Sequence, residues 1–194
     1  MINDNLEKFI YCNYTSLSRE LCLEIINIYN SEGVIKFDGS TLGGVNKNVK
    51  DTIDCNITQG NHWTKIIKLI EIEIKKNMEQ YVKSMIINKI NNNLFNELVI
   101  ESILVQKYEK NKGKYIYHND FKVDHEKKHY RVVTFLWYLN DVDEGGETEF
   151  WETYKIKPQA GKLILFPASW VFPHCGKMPI SSDKYIITGW LITK

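Results

Sequence analysis

His118-Asn119-Asp120 sets an imidazole and a carboxylate two positions apart, directly after the apolar and aromatic stretch Lys114 to Tyr117. In an extended segment, residues i and i+2 project from one face, so both side chains can converge on a single ion. Two ligands leave a divalent cation underligated. A third has to arrive from elsewhere, and His174, far downstream near a strand-like segment, can supply it. Two histidines and one carboxylate on one face of an octahedron leave three positions open for a cosubstrate and dioxygen, an arrangement suited to non-haem iron. A lone His-x-Asp is more often an ordinary hydrogen-bonded pair, so the surrounding sequence has to decide.

A competing pattern is His125-Glu126-Lys127-Lys128-His129, which spells the HExxH string of zinc proteases. That string works only on a helix, where residues four apart share a face. Here the segment is charged throughout and runs into strand-like residues, which predicts a solvated loop or strand end. The polar stretch Phe121 to His129, placed directly after the ligand pair, is a candidate substrate lid. Four cysteines, Cys12, Cys22, Cys55 and Cys175, stand far apart without a CxxC pair and read as reduced thiols. Cys175 neighbours His174, but on a strand it points the other way and reads as a packing residue.

These residues need elements to hold them. The first half reads as helical and the second as strands, an order that predicts an α+β fold. Ser18 to Tyr29 places Leu21, Ile25 and Ile28 at helical spacing, and Ser31 to Thr41 is turn-rich. From Trp63 to about Ile87 an apolar stripe (Trp63, Ile66, Ile67, Ile70, Ile74, Met78, Tyr81, Val82, Met85) recurs every three or four residues. It predicts one long helix whose Met78 and Tyr81 belong to the core. After an Asn-rich turn at Asn91 to Asn93, β-branched and aromatic residues dominate Leu98 to Tyr108, Tyr130 to Asn140, Lys162 to Phe166 and Tyr185 to Thr193. Glycine turns such as Glu144-Gly145-Gly146 and Pro158-Gln159-Ala160-Gly161 separate strands and predict a sandwich or barrel.

With 194 residues the chain suits a single domain, expected as mainly helical support over 1–95 and a catalytic core over 96–194. Lys plus Arg number 25 against 24 Asp plus Glu, so nothing points to nucleic acid as a partner. No apolar run is long enough to span a membrane, and residues 1 to 15 lack the pattern of a secretory leader, which predicts a cytoplasmic protein.

From about Val105 to Trp190 the sequence resembles the prolyl 4-hydroxylase-like branch of the Fe(II)/2-oxoglutarate-dependent oxygenases. The resemblance runs in order through Tyr108, His118-x-Asp120, Arg131-Val-Val-Thr-Phe-Leu-Trp-Tyr-Leu-Asn-Asp141, Gly145-Gly-Glu-Thr-Glu-Phe150, Pro158-x-x-Gly161, Phe166, His174-x-Gly176, Lys184 and Trp190. It implies a double-stranded β-helix, or jelly roll, braced by N-terminal helices. It further implies Fe(II) held by His118, Asp120 and His174, with 2-oxoglutarate and dioxygen as cosubstrates and ascorbate as a further candidate. The basic residue expected to pair with the far carboxylate of 2-oxoglutarate falls at Lys184, since a carboxylate buried in an apolar barrel needs a cation. Tyr138, Thr134 and Leu136 share a strand face that could flank the same carboxylate, and Tyr108 and Trp190 complete the candidate pocket.

The implied activity is oxidative decarboxylation of 2-oxoglutarate coupled to hydroxylation of an unactivated C–H bond. The leading substrate is peptidyl proline in a peptide or protein; another protein side chain, a free amino acid and a small metabolite are the alternatives. A jelly-roll binding module without catalysis is the non-enzyme alternative, and the complete set of His118, Asp120, His174 and Lys184 weighs against it.

Overall fold

The computed structural model describes residues 6–58, 61–84 and 97–194. The continuation of the long helix through Met85 to Ile87, the Asn91 to Asn93 turn and the boundary between the two expected halves lie outside them. In chain order the elements are β1 (Tyr11–Asn13), α1 (Arg19–Asn30), β2 (Phe37–Asp38), β3 (Ser40–Thr41), β4 (Gly44–Val45), β5 (Lys50–Asp51), β6 (Ile53–Asn56) and α2 (Thr64–Ser84). They continue with β7 (Val99–Tyr108), β8 (Lys114–His118), β9 (Val123–Asp124), β10 (His129–Tyr138), β11 (Thr148–Phe150), β12 (Tyr154–Ile156), β13 (Leu163–Pro167), β14 (His174–Gly176) and β15 (Lys184–Ile192).

The larger sheet runs β1-β13-β10-β15-β7-β6-β2, with β9 added at β10, and the smaller runs β12-β11-β14-β8-β5. The pairings of both sheets are antiparallel, and the two remain separate sheets, as a jelly roll requires. Strand β10 shows why the sequence reads as a nearly continuous apolar run. Val133, Phe135 and Trp137 pack into the cluster that holds the helices. Leu136 and Tyr138 alternate with them and pack with Phe150, Ile164, Phe166 and Ile186 between the sheets. With both faces buried, an alternating polar face is not needed.

Helix α1 starts at Ser18, whose hydroxyl accepts from the Leu21 N–H at 3.2 Å. Its fully buried line is Cys22, Ile25 and Tyr29, with the expected Leu21 and Ile28 flanking it as partly buried residues. Helix α2 buries Ile66, Ile70, Ile74, Met78 and Tyr81 against the larger sheet, and each such side chain contributes about 1.5–3 kcal/mol relative to exposure. No helix among the described residues is long and apolar enough to cross a membrane.

The first half is not only helical. The turn-rich region and the segment after it form β2 to β6, whose two to four residues are too few and too polar to show a period of their own. Pairing with distant strands makes them: Lys50 lies opposite Tyr115 of β8, and Asp54 opposite Gln106 of β7. The chain therefore leaves the smaller sheet at Asp51 and enters the larger at Ile53, and Thr52 forms the corner between them. The HExxH segment likewise resolves as expected: His125 to Lys128 is the turn of a hairpin whose arms pair His129 with Asp124.

Candidate active site

Antiparallel pairing of β14 with β8 sets His174 opposite His118, with ring centroids 4.2 Å apart. Asp120, two residues beyond the end of β8, turns back between them: His118 Nε2 lies 3.7 Å from Oδ1 and His174 Nε2 3.7 Å from Oδ2. The three potential ligand atoms all fall within 4.8 Å of one another, and this is the one such grouping of histidine, cysteine and acidic residues among those described.

The backbone fixes how these rings present themselves. His118 Nδ1 faces the Ile116 carbonyl at 2.8 Å and His174 Nδ1 faces the Phe172 carbonyl at 3.1 Å. A carbonyl can only accept, so each Nδ1 carries the proton and each Nε2 is left with a lone pair directed at the shared centre. Thr134 donates to Asp120 Oδ2 at 2.8 Å, orienting the carboxylate. Tyr115 stacks on His118 at 3.5 Å, and Phe166 meets His174 edge-on at 4.9 Å. Burial, with His174 beside it, pushes the His118 imidazole down to about 3. Burial alone would raise the Asp120 carboxyl, but the two histidines and Thr134 outweigh it and hold it below the usual range. The site thus keeps a neutral His118 imidazole and an ionised Asp120 carboxylate, protonation states that a divalent cation requires.

The grouping lies on the wall of a cavity of about 300 Å³. Lys184, with 1 % of its surface exposed, reaches the same cavity from the start of β15. Its Nζ donates to the Gly146 carbonyl at 3.0 Å and lies 3.8 Å from the centre of the Tyr108 ring. Burial pushes its ammonium down to about 7, with Glu147 opposing. Gly145 and Gly146 both adopt positive φ; a Cβ on Gly145 would meet the Met178 carbonyl at 2.4 Å. The Gly-Gly pair therefore forms the turn that aims this carbonyl.

Tyr108, Thr134, Leu136 and Trp190 line the cavity, but two of the residues expected to flank the far carboxylate of 2-oxoglutarate are placed differently. The Thr134 hydroxyl is taken by Asp120 rather than left free near Lys184. Tyr138 does not line the cavity. It stands behind it and donates to Thr148 Oγ1 at 2.6 Å, so Thr148 is the hydroxyl that reaches the cavity. Strand alternation gives the face of a residue and not its depth, which explains both differences. Trp190 lies under the Arg131 guanidinium at 3.5 Å, and its Nε1 is buried without a hydrogen-bond partner among the described residues. Phe121, half exposed, lines the mouth. Local patterns gave no sign of Lys50, Asp54 and Gln106, which also line the cavity.

Residues 103–192 match the model of the 2OG-Fe(II) oxygenase superfamily. The chain carries a 2OG-Fe(II) oxygenase domain. It is a dioxygenase that uses Fe(II), 2-oxoglutarate and dioxygen. No curated protein matches the chain in sequence. Among solved structures, this oxygenase is similar to the viral collagen prolyl hydroxylase of Paramecium Bursaria Chlorella virus-1 in complex with 2OG. The identity is 22 % and the TM-score 0.70, over 96 % of this chain and 97 % of that one. A Trichoplax adhaerens prolyl hydroxylase, in complex with a peptide of the hypoxia inducible factor oxygen degradation domain, is 22 % identical with a TM-score of 0.72, over 99 % and 87 %. A Pseudomonas putida prolyl-4-hydroxylase is 18 % identical with a TM-score of 0.66, over 97 % and 95 %. At these identities the likeness is one of fold. It extends to the part of the chain before residue 103, which the superfamily model does not cover.

Proposed function

We propose that this oxygenase hydroxylates peptidyl proline, with Fe(II) held by His118, Asp120 and His174 and the far carboxylate of 2-oxoglutarate paired with Lys184. The observation that carries the reading is the convergence of three donor atoms within 4.8 Å in a cavity that also holds a buried lysine without a carboxylate partner among the described residues. When bound, the iron supplies activation of dioxygen for the oxidative decarboxylation of 2-oxoglutarate coupled to C–H hydroxylation.

The protein's own groups prepare the site. The Ile116 and Phe172 carbonyls hold both imidazoles in the ligating tautomer, and Thr134 holds the Asp120 carboxylate. Lys184 and the Thr148 hydroxyl offer a cation and a donor to a carboxylate, while Leu136 and Ile186 make that end of the cavity apolar. A peptide substrate is supported by the three similar structures, each named a prolyl hydroxylase and one holding a peptide. Exposed Phe37, Leu42 and Phe121 at the cavity suit a chain laid across its mouth.

The test is succinate formed from 2-oxoglutarate under Fe(II) and air, with and without proline-containing peptides, together with the peptide mass. The wild type should form succinate and add one oxygen atom to a peptide, and His118→Ala should form no more succinate than a protein-free control. Undiminished succinate from His118→Ala would remove the metal assignment. Succinate unaffected by any peptide would leave the oxygenase and reject the prolyl substrate.

A further inference from the structure

Lys50 and Asp54 form a buried ion pair at 2.7 Å, with 5 % and 1 % of their surfaces exposed, in the wall of the same cavity. Burying two charges is costly even when they pair, so a pair at this place calls for an explanation. Asp54 has three donors: Thr52 donates to Oδ1 at 2.7 Å, and Lys50 and Gln106 donate to Oδ2 at 2.7 and 3.0 Å. Lys50 has fewer partners. Its ammonium carries three N–H donors, and among the described residues Asp54 is its one hydrogen-bond acceptor.

The position of this spare donor capacity is set by strand pairing. Lys50 lies opposite Tyr115 and its Nζ is 5.4 Å from the centre of that ring, which stacks on His118 at 3.5 Å. The Lys50 ammonium is thus separated from a proposed iron ligand by one aromatic ring. The Gly39 N–H donates to the Thr52 carbonyl at 2.8 Å, which fastens the chain leading into the β3–β4 hairpin to the same corner. Ser40, Thr41 and Leu42 of that chain line the cavity.

Resting on the oxygenase reading above, we propose that Lys50 is a specificity-determining residue that donates to a main-chain carbonyl oxygen of the substrate peptide. Among the described residues Lys184 has no carboxylate partner and suits an anion, whereas Asp54 already cancels the charge of Lys50. A neutralised ammonium with free N–H groups favours a neutral acceptor, such as an amide carbonyl, over a second carboxylate. This selects a peptide over a free amino acid, whose carboxylate would approach Asp54 as a like charge.

The test uses the full chain loaded with Mn(II) in place of iron, so that binding is read without turnover. 2-Oxoglutarate is titrated first, then an N-acetylated, C-amidated proline tripeptide, with free L-proline as a separate arm. Lys50→Met should weaken tripeptide binding about tenfold, as expected for one hydrogen bond to a charged donor, without changing the affinity for 2-oxoglutarate. Lys50→Met/Asp54→Leu removes both charges, serves where the single variant does not fold, and should bind the tripeptide as poorly. Equal tripeptide titrations for wild type and variants, whether all bind or none does, would overturn the proposal. So would loss of 2-oxoglutarate affinity in a folded Lys50→Met, or a wild type that prefers L-proline to the blocked tripeptide. A wild type that binds no 2-oxoglutarate would instead bring down the oxygenase site itself, and this proposal with it.

Discussion

Two buried lysines face one cavity and are built in opposite ways. Lys50 has its countercharge at 2.7 Å, and that countercharge is itself held by Thr52 and Gln106. Lys184 has a carbonyl at 3.0 Å and a tyrosine ring at 3.8 Å, and among the described residues no acid is within salt-bridge distance. The first is neutralised in the folded protein but keeps spare N–H donors. The second is a charge that the fold tolerates rather than satisfies, and an anionic ligand would complete it. Burial of a lysine therefore says little by itself; its partner decides whether it suits a neutral acceptor or an anion.

Removing each lysine should separate the two designs most strongly. Lys50→Met leaves Asp54 buried without its cation and is expected to destabilise the protein by about 3–5 kcal/mol, read by urea denaturation. Lys184→Met removes a cation that has no carboxylate partner and should leave the stability of the ligand-free protein unchanged or raised. Its cost should appear instead as a 2-oxoglutarate requirement raised by about tenfold or more. A destabilised Lys184→Met with normal 2-oxoglutarate binding would reverse the comparison.

A smaller effect follows from pH. The Lys184 ammonium sits at about 7 in the fold, below its ordinary value of 10.5. Between these values the unfolded chain carries the proton and the folded protein does not, so this group makes stability rise as pH climbs through that window and adds no pH dependence below it. A bound carboxylate favours the charged form, so 2-oxoglutarate should bind with uptake of a proton near pH 8, measured by calorimetry in buffers of different ionisation heat. Lys184→Met should abolish that uptake. Lys50→Met should keep it. The smallest expected change is Tyr138→Phe, which removes the donor behind Thr148 and should weaken 2-oxoglutarate binding by about 0.5–1.5 kcal/mol.

The same contrast governs what could be read from the sequence. Lys184 opens β15, which like β10 is long and mostly buried, so spacing there translates directly into geometry, whereas His118, Asp120 and His174 lie at the ends of β8 and the three-residue β14 and were legible through motif order. Thr134 and Tyr138 were legible only as to face: their depth depends on where β11 brings Thr148, a three-residue strand with no signature of its own. Lys50 and Asp54 belong to a short polar segment that shows neither a helical nor a strand period. They are buried because Lys50 pairs across to Tyr115 and Asp54 to Gln106, contacts between residues far apart in sequence that no local window contains. Helices α1 and α2 were legible because an amphipathic stripe is local.

The Gly145-Gly146 turn bears on how the proposed cosubstrate would be received. The acceptor that steadies Lys184 is a main-chain oxygen, positioned by two residues without side chains. The loss of backbone freedom at those glycines is incurred once, as the chain folds, and not again each time a ligand arrives. The lysine is thus already immobilised before an anion reaches it, and association need not include a separate ordering step at this end of the cavity.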